Sequence, residues 1–212
     1  MSRACRIIVV PEDRDHAALA RGYFHERGVH PRAYQVTSKW SGKNGNFDRV
    51  RQWFAEEVKL QAKELVRFGV IALIDEDGKG LAVRRESVTE ELARLGLPGL
   101  DPSKGRLLVI PVRNVETWMV WGARWTGAGR PASPGSPAGF SEVDETHDYK
   151  RWETRDGQPL PREKPLDGYQ LGRAIGTLNP AAPPGGLPPA LEAILRPWSD
   201  FMDWARRRSQ PA

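Results

Sequence analysis

The chain has 212 residues, 39% of them hydrophobic and 28% charged, enough for one substantial core but short for two compact domains. No apolar run approaches the length of a membrane span, and the single cysteine, Cys5, excludes an internal disulfide framework and a cysteine-based zinc site. A net charge of +5 favours an acidic partner such as nucleic acid.

The first strand is expected over residues 6–10, Arg-Ile-Ile-Val-Val, ended by Pro11 and followed by Glu12 and Asp13. This apolar stretch is too short for the core of a signal peptide, so a cytoplasmic protein is the expectation. Residues 13–27 follow a helical pattern, with acids in the first turn where the helix dipole favours them and Gly28 as the C-terminal cap. A second strand is expected over 33–38. A polar loop through Lys39 and Lys43 follows, without the spacing of a phosphate-binding P-loop. Residues 47–68 read as a long helix that Gly69 breaks. The run Val70, Ile71, Ala72, Leu73, Ile74 then reads as a buried strand, followed at once by Asp75, Glu76, Asp77 and Gly78. A helix over 84–95, a strand over 106–110 closed by Pro111, and a helix capped by Asn114 with Glu116 in its first turn complete the alternation.

Strand and helix thus alternate to about residue 125, which predicts an α/β fold: a mostly parallel sheet with helices on both faces. Beyond it, Gly, Pro, Ser and Ala dominate 126–140 and polar residues dominate 141–152. A short helix is expected over 169–178, breakers fill 180–189, and a terminal helix interrupted near Pro197 covers 190–208. The expected organisation is a core over 1–125 and a loop-rich extension over 126–212 whose last helix packs on that core.

Three expected strand ends carry acids: Glu12, then Asp75 and Asp77, then Glu116. Parallel strands deliver their carboxyl ends to one side of the sheet, where ligands bind in open α/β folds. Carboxylates gathered there repel one another unless a cation or a proton lies between them, and a divalent metal is the simplest resolution.

The ordered segments Ile7-Ile8-Val9-Val10-Pro11-Glu12, Ile74-Asp75-Glu76-Asp77-Gly78 and the stretch from Ile110-Pro111 to Glu116-Thr117-Trp118 resemble the Toprim fold. The resemblance is to nucleases of the overcoming-lysogenization-defect kind and to small Toprim-like proteins of bacterial defence loci. It covers residues 5 to about 125. It implies metal-dependent phosphodiester cleavage with Mg2+ or Mn2+, Glu12 as ligand or general base, Asp75 and Asp77 as ligands, and Glu116 completing a second metal position. It also implies a downstream lysine that stabilises charge at the phosphate, for which Lys150 is the candidate. The implied partners are nucleic acid, DNA in preference to RNA, and a separate ATPase or defence-system chain, with no membrane. Positive charge for the nucleic acid would come from Lys39, Lys43, Arg84, Arg85 and Arg113, with Arg151 and the run Arg206, Arg207, Arg208 beyond the core.

The chain departs from that pattern in two places. Asp13 stands where glycine usually follows the first glutamate, and His16 stands where an acid is common, with Asp15 one residue earlier. Asp15 and His16 are therefore additional candidates for metal ligands, imidazole being an acceptable donor to manganese. Rival readings start from the same residues. Asp75-x-Asp77-Gly78 resembles the opening motif of haloacid-dehalogenase-like phosphatases, which normally place it near the N-terminus and need a later acidic pair. Asp75, Asp77, Gly80 and Glu86 fall on EF-hand positions, but Lys79 occupies a ligand position. A third reading is a non-catalytic Toprim-like module that binds nucleic acid or a partner protein.

Overall fold

The computed structural model describes residues 6–37, 46–63, 68–126, 166–185 and 187–209. Four strands form one all-parallel sheet: β1 (Arg6–Pro11), β2 (Tyr34–Val36), β3 (Phe68–Leu73) and β4 (Arg106–Val109), in the order β2-β1-β3-β4. Six helices accompany them: α1 (Arg14–Glu26), α2 (Phe47–Lys63), α3 (Leu81–Arg94), α4 (Val115–Thr126), α5 (Gly168–Thr177) and α6 (Pro189–Ser209). The expected α/β class, a parallel sheet with helices on both faces, is what the chain adopts.

Side chains alternate across a strand, so β1 sends Ile7 and Val9 to one face and Ile8 and Val10 to the other. Both sets are apolar because both faces are covered. The first face packs against α1, α4, α5 and α6, with Trp118, Trp121 and Trp198 among its largest buried side chains. The second face packs against α2 and α3 through Val50, Phe54, Val58, Val88 and Leu92. The centre of the sheet is in tight register, Pro11 opposite Leu73 and Leu73 opposite Val109. The residues that follow these positions therefore emerge side by side at one edge.

Several boundaries differ from expectation. Of the helix expected to reach residue 68, Phe47–Lys63 is helical, 64–67 lie outside the described residues, and Phe68 and Gly69 belong to β3. Gly69 does not break the chain before the strand. It sits inside the strand because a Cβ there would lie 2.6 Å from the Phe201 ring and 2.7 Å from the Trp204 ring. The terminal helix, expected to be interrupted near Pro197, is continuous. Proline in a helix interior costs about 3 kcal/mol. Ile194, Leu195, Trp198 and Phe201 are buried on both sides of it, and each contributes roughly 1.5–3 kcal/mol, so burial prevails.

The helices of the C-terminal part are not an appendage to a separate core. Leu171 and Ile175 of α5 and Leu191, Trp198 and Phe201 of α6 belong to the same hydrophobic cluster as β1, β3, β4 and α1. The contact of α5 with α1 is backbone to backbone. Gly168, Gly172 and Gly176 recur at every fourth position along one side of α5 and lie against α1. A Cβ at Gly172 would overlap the Leu19 carbonyl oxygen, one at Gly168 the Asp15 carbonyl oxygen, and one at Gly22 of α1 the Tyr169 carbonyl oxygen. The capping box of α5, Asp167 with Gln170, starts that helix at the level of the first turn of α1.

Alanine is intrinsically a better helix former than glycine by about 1 kcal/mol. Replacing Gly172 by alanine is nonetheless expected to destabilise the protein by about 1–3 kcal/mol, because overpacking outweighs propensity. Urea denaturation measures this, with Gly185→Ala as the control, since a Cβ there meets nothing within 4 Å. The control is expected to change stability by no more than about 0.5 kcal/mol.

Candidate metal centre

The site forms where β1 and β3 run out. Glu12 directly follows β1, and its own N–H donates to the Leu73 carbonyl at 2.8 Å, extending the ladder by one step. Two residues after β3, the Asp75 N–H donates to Glu12 Oε2, also at 2.8 Å. Neighbouring strand ends are thus joined by a main chain to side chain bond rather than by ladder pairing. Asp75 in turn accepts from the Val115 N–H through Oδ1 at 2.8 Å, so its carboxylate sits at the positive end of α4.

The next three residues turn sharply. The Glu76 N–H donates to the Pro111 carbonyl and the Asp77 N–H to the Arg113 carbonyl, at 3.1 and 2.8 Å. Asp77 and Arg113 both adopt left-handed backbone, φ 53° and 61°. Aspartate tolerates that region, whereas in arginine it costs on the order of 1–2 kcal/mol. The Glu76 carboxylate holds the turn in place. It accepts from the Gly78 N–H at 2.8 Å, the Arg113 N–H at 3.0 Å and the Gly80 N–H. Burial alone would raise the Glu76 carboxyl, but these three donors outweigh it and hold it below the ordinary value. This turn brings the Asp75 and Asp77 carboxylates near one another. Asp75 is buried and Asp77 exposed.

Glu12, Asp75 and Asp77 each offer a carboxylate oxygen, and these oxygens all lie within 4.8 Å of one another. A second group shares Asp75 and adds Asp13 and His16 under the same limit. Asp13 caps α1, accepting the His16 N–H at 3.0 Å, and the same oxygen lies 2.8 Å from His16 Nδ1. His16 Nε2 lies 3.2 Å from Asp75 Oδ1 but is not aligned as a hydrogen bond. Burial alone would lower the fully buried imidazole, yet Asp75 and Asp13 outweigh it and hold His16 well above its usual range. His16 thus lies between two carboxylates, with Nδ1 toward Asp13 and Nε2 toward Asp75. Burial also raises the Asp13 carboxyl, and the His16 contacts reverse this and lower it. Glu12 is pushed above its ordinary value, first by burial and then by repulsion from Asp75 and Asp77, against the Asp75 N–H and His16.

Comparison with protein-family models, with curated proteins and with solved structures finds no match to this chain. What the site can do therefore rests on its own donors. Three carboxylates converge, two of them buried, and burial first and the neighbouring acids second hold the Glu12 carboxyl high. An oxygen-rich set of this kind fits a hard divalent cation.

The remaining candidates divide. Glu116 lies in the first turn of α4, as expected, and neither close group among the described residues includes it. Asp15 also lies outside both groups, while His16 joins one. Arg84 is engaged in the turn. Its Nε donates to the Glu76 carbonyl at 3.2 Å, its Nη2 lies 3.7 Å from Asp77 Oδ2, and its guanidinium stacks 4.0 Å from the centre of the Phe47 ring. Arg113 stands at the turn with its Nη1 against Gly78, and Arg85 is exposed on α3. At the far end of α6, Arg206 pairs with Asp203 at 2.8 Å. Lys39, Lys43, Lys150 and Arg151 lie outside the described residues. Two site residues were not assigned a role from sequence. Asp13 was noted only as a departure, although Asp-x-x-His at a helix start is a readable cap. Glu76 was passed over between two more conspicuous acids.

The raised Glu12 carboxyl has a consequence for stability. The folded state binds this proton more tightly than the unfolded chain does, so stability falls as pH rises from the ordinary value of 4.5 through the raised folded value. Glu12→Gln removes that dependence. In chelator-treated protein, thermal melts are expected to show the glutamine variant gaining on the wild type as pH rises above the ordinary value of 4.5. Glu76→Ala strips an acceptor from three backbone donors and is expected to cost about 2–4 kcal/mol in the same assay.

Proposed function

We propose that this chain is a divalent-metal-dependent phosphodiesterase acting on nucleic acid, with Glu12, Asp75 and Asp77 holding Mg2+ or Mn2+. The observation that carries the reading is the convergence of these three carboxylates at two adjacent strand ends. A bound cation would polarise the phosphodiester and acidify an attacking water. The chain's own residues supply the rest. Glu12 is assigned removal of the proton from that water, beside or in place of a bond to the cation. Asp75 is fixed in place by the Val115 N–H and keeps its orientation without help from substrate. Asp77 stands at the exposed mouth, on the turn that Glu76 braces. Arg113 beside this turn and Arg85 on α3 supply positive charge on the approach for a polyanion. Lys150 is assigned the stabilisation of charge on the phosphate.

A second reading, a binding module without catalysis, is favoured by one observation. Asp75 Oδ1 already has the Val115 N–H at 2.8 Å and His16 at 3.2 Å, so the acid is partly compensated without a metal. The two readings separate in a cleavage assay on single- and double-stranded DNA and RNA with Mg2+ or Mn2+. On the nuclease reading, Asp75→Asn lowers cleavage by about 100-fold or more, the upper end of what disturbing a ligand's surroundings costs, while nucleic-acid binding persists. Wild-type protein that binds nucleic acid and cleaves none of these substrates with either metal supports the binding module.

A further inference from the structure

The pair Asp13 and His16 is the part of this site that three carboxylates do not require. His16 is fully buried, with Nδ1 2.8 Å from Asp13 Oδ1. Its Nε2 is buried too and has no aligned hydrogen-bond partner, yet it points to Asp75, 3.2 Å from Oδ1. The nitrogen thus faces Asp75 at ion-pair distance without the alignment of a hydrogen bond.

Three features give that nitrogen a use. A histidine that ligates a metal almost always gives its other ring nitrogen to a carboxylate or carbonyl, which fixes the ring and its tautomer. Asp13 does this for Nδ1. Two donors on one cation, each about 2.1 Å from it and roughly at right angles, stand about 3 Å apart. Nε2 and Asp75 Oδ1 have that separation. Finally, Asp75 belongs both to the group with Glu12 and Asp77 and to the group with Asp13 and His16.

We propose that His16 Nε2 is a nitrogen donor of this centre, with Asp13 as its orienting carboxylate, so that the site takes Mn2+ or another first-row transition cation in preference to Mg2+. The proposal rests on the reading that Glu12 and Asp75 bind a divalent cation, and is independent of the substrate. Mg2+ takes oxygen ligands and gives up its water reluctantly, whereas imidazole suits the transition metals. A cation held there would be bound by the neutral imidazole through Nε2, with Nδ1 directed at Asp13.

Pulsed electron paramagnetic resonance on Mn2+-loaded wild-type protein tests the contact directly and needs no variant to fold. The expected result is a nitrogen coupling of the size given by a directly bound imidazole. Calorimetric titration of chelator-stripped full-length chain with each cation tests the preference, with Mn2+ expected to bind at least about tenfold more tightly than Mg2+. Asp13→Asn keeps a helix cap, asparagine being as good as aspartate there. It is expected to weaken Mn2+ by about 10–100-fold and Mg2+ by less than about threefold. Mn2+ bound without nitrogen coupling overturns the proposal. So does a Mn2+ to Mg2+ affinity ratio unchanged by both Asp13→Asn and His16→Gln. If Glu12→Gln abolishes Mn2+ binding while His16→Gln leaves it intact, the carboxylate reading stands and only the role of His16 falls. If neither cation binds the wild type, both fall together.

Discussion

One hydrogen bond does more than any other to make this site: the Asp75 N–H donated to the Glu12 carboxylate. Two acids on neighbouring strand ends would separate if left to electrostatics, since they repel at short range in a poorly screened setting. The amide holds Glu12 against the Asp75 backbone and sets the distance between their charges. It can form only because β1 and β3 run parallel with Pro11 opposite Leu73, which places Glu12 level with the residue before Asp75. A shift of one residue in that pairing would turn Glu12 to the other face of the sheet. The hydrophobic alternation of β1, apolar on both faces and buried by different helices, leaves little room for such a slip. The chemistry at the edge thus inherits its dimensions from packing in the middle.

Around that bond the molecule offsets charge with parts of the backbone rather than with many cations. The first turn of α4 meets Asp75, three amides meet Glu76, and His16 is the buried ring between Asp13 and Asp75. Arg113 accepts an unfavourable backbone conformation so that its N–H reaches Glu76 while its carbonyl receives the Asp77 N–H. Strain of this kind persists only where neighbouring bonds over-determine it. The result is a stiff turn that presents Asp77 outward.

Much of this was legible in the sequence. The apolar runs and their punctuation located β1, β3, β4 and the flanking helices, because a strand buried on both faces leaves an unbroken apolar signature. The position of Glu12, Asp75 and Asp77 at strand ends followed from that reading. The failures have physical causes. The charge of Arg84 is visible in a sequence, whereas its engagement with Phe47 and Asp77 is not. Gly69 was read as a breaker because the rings that fill the space of its missing side chain come from residues 201 and 204, over 130 positions later. Pro197 was read as an interruption because burial on both sides of it is a tertiary fact.

The contact between α5 and α1 carries a consequence for descent. Asp13 and His16 owe their positions to α1, and α1 rests on a helix that begins at Gly168 and touches it through bare backbone. The sequence that sets the spacing of the site is therefore split between two regions about 150 residues apart. Mutations that enlarge residue 168, 172 or 176 act on the site without approaching it. In any lineage that keeps the histidine arrangement, these glycines and His16 are expected to be retained or lost together.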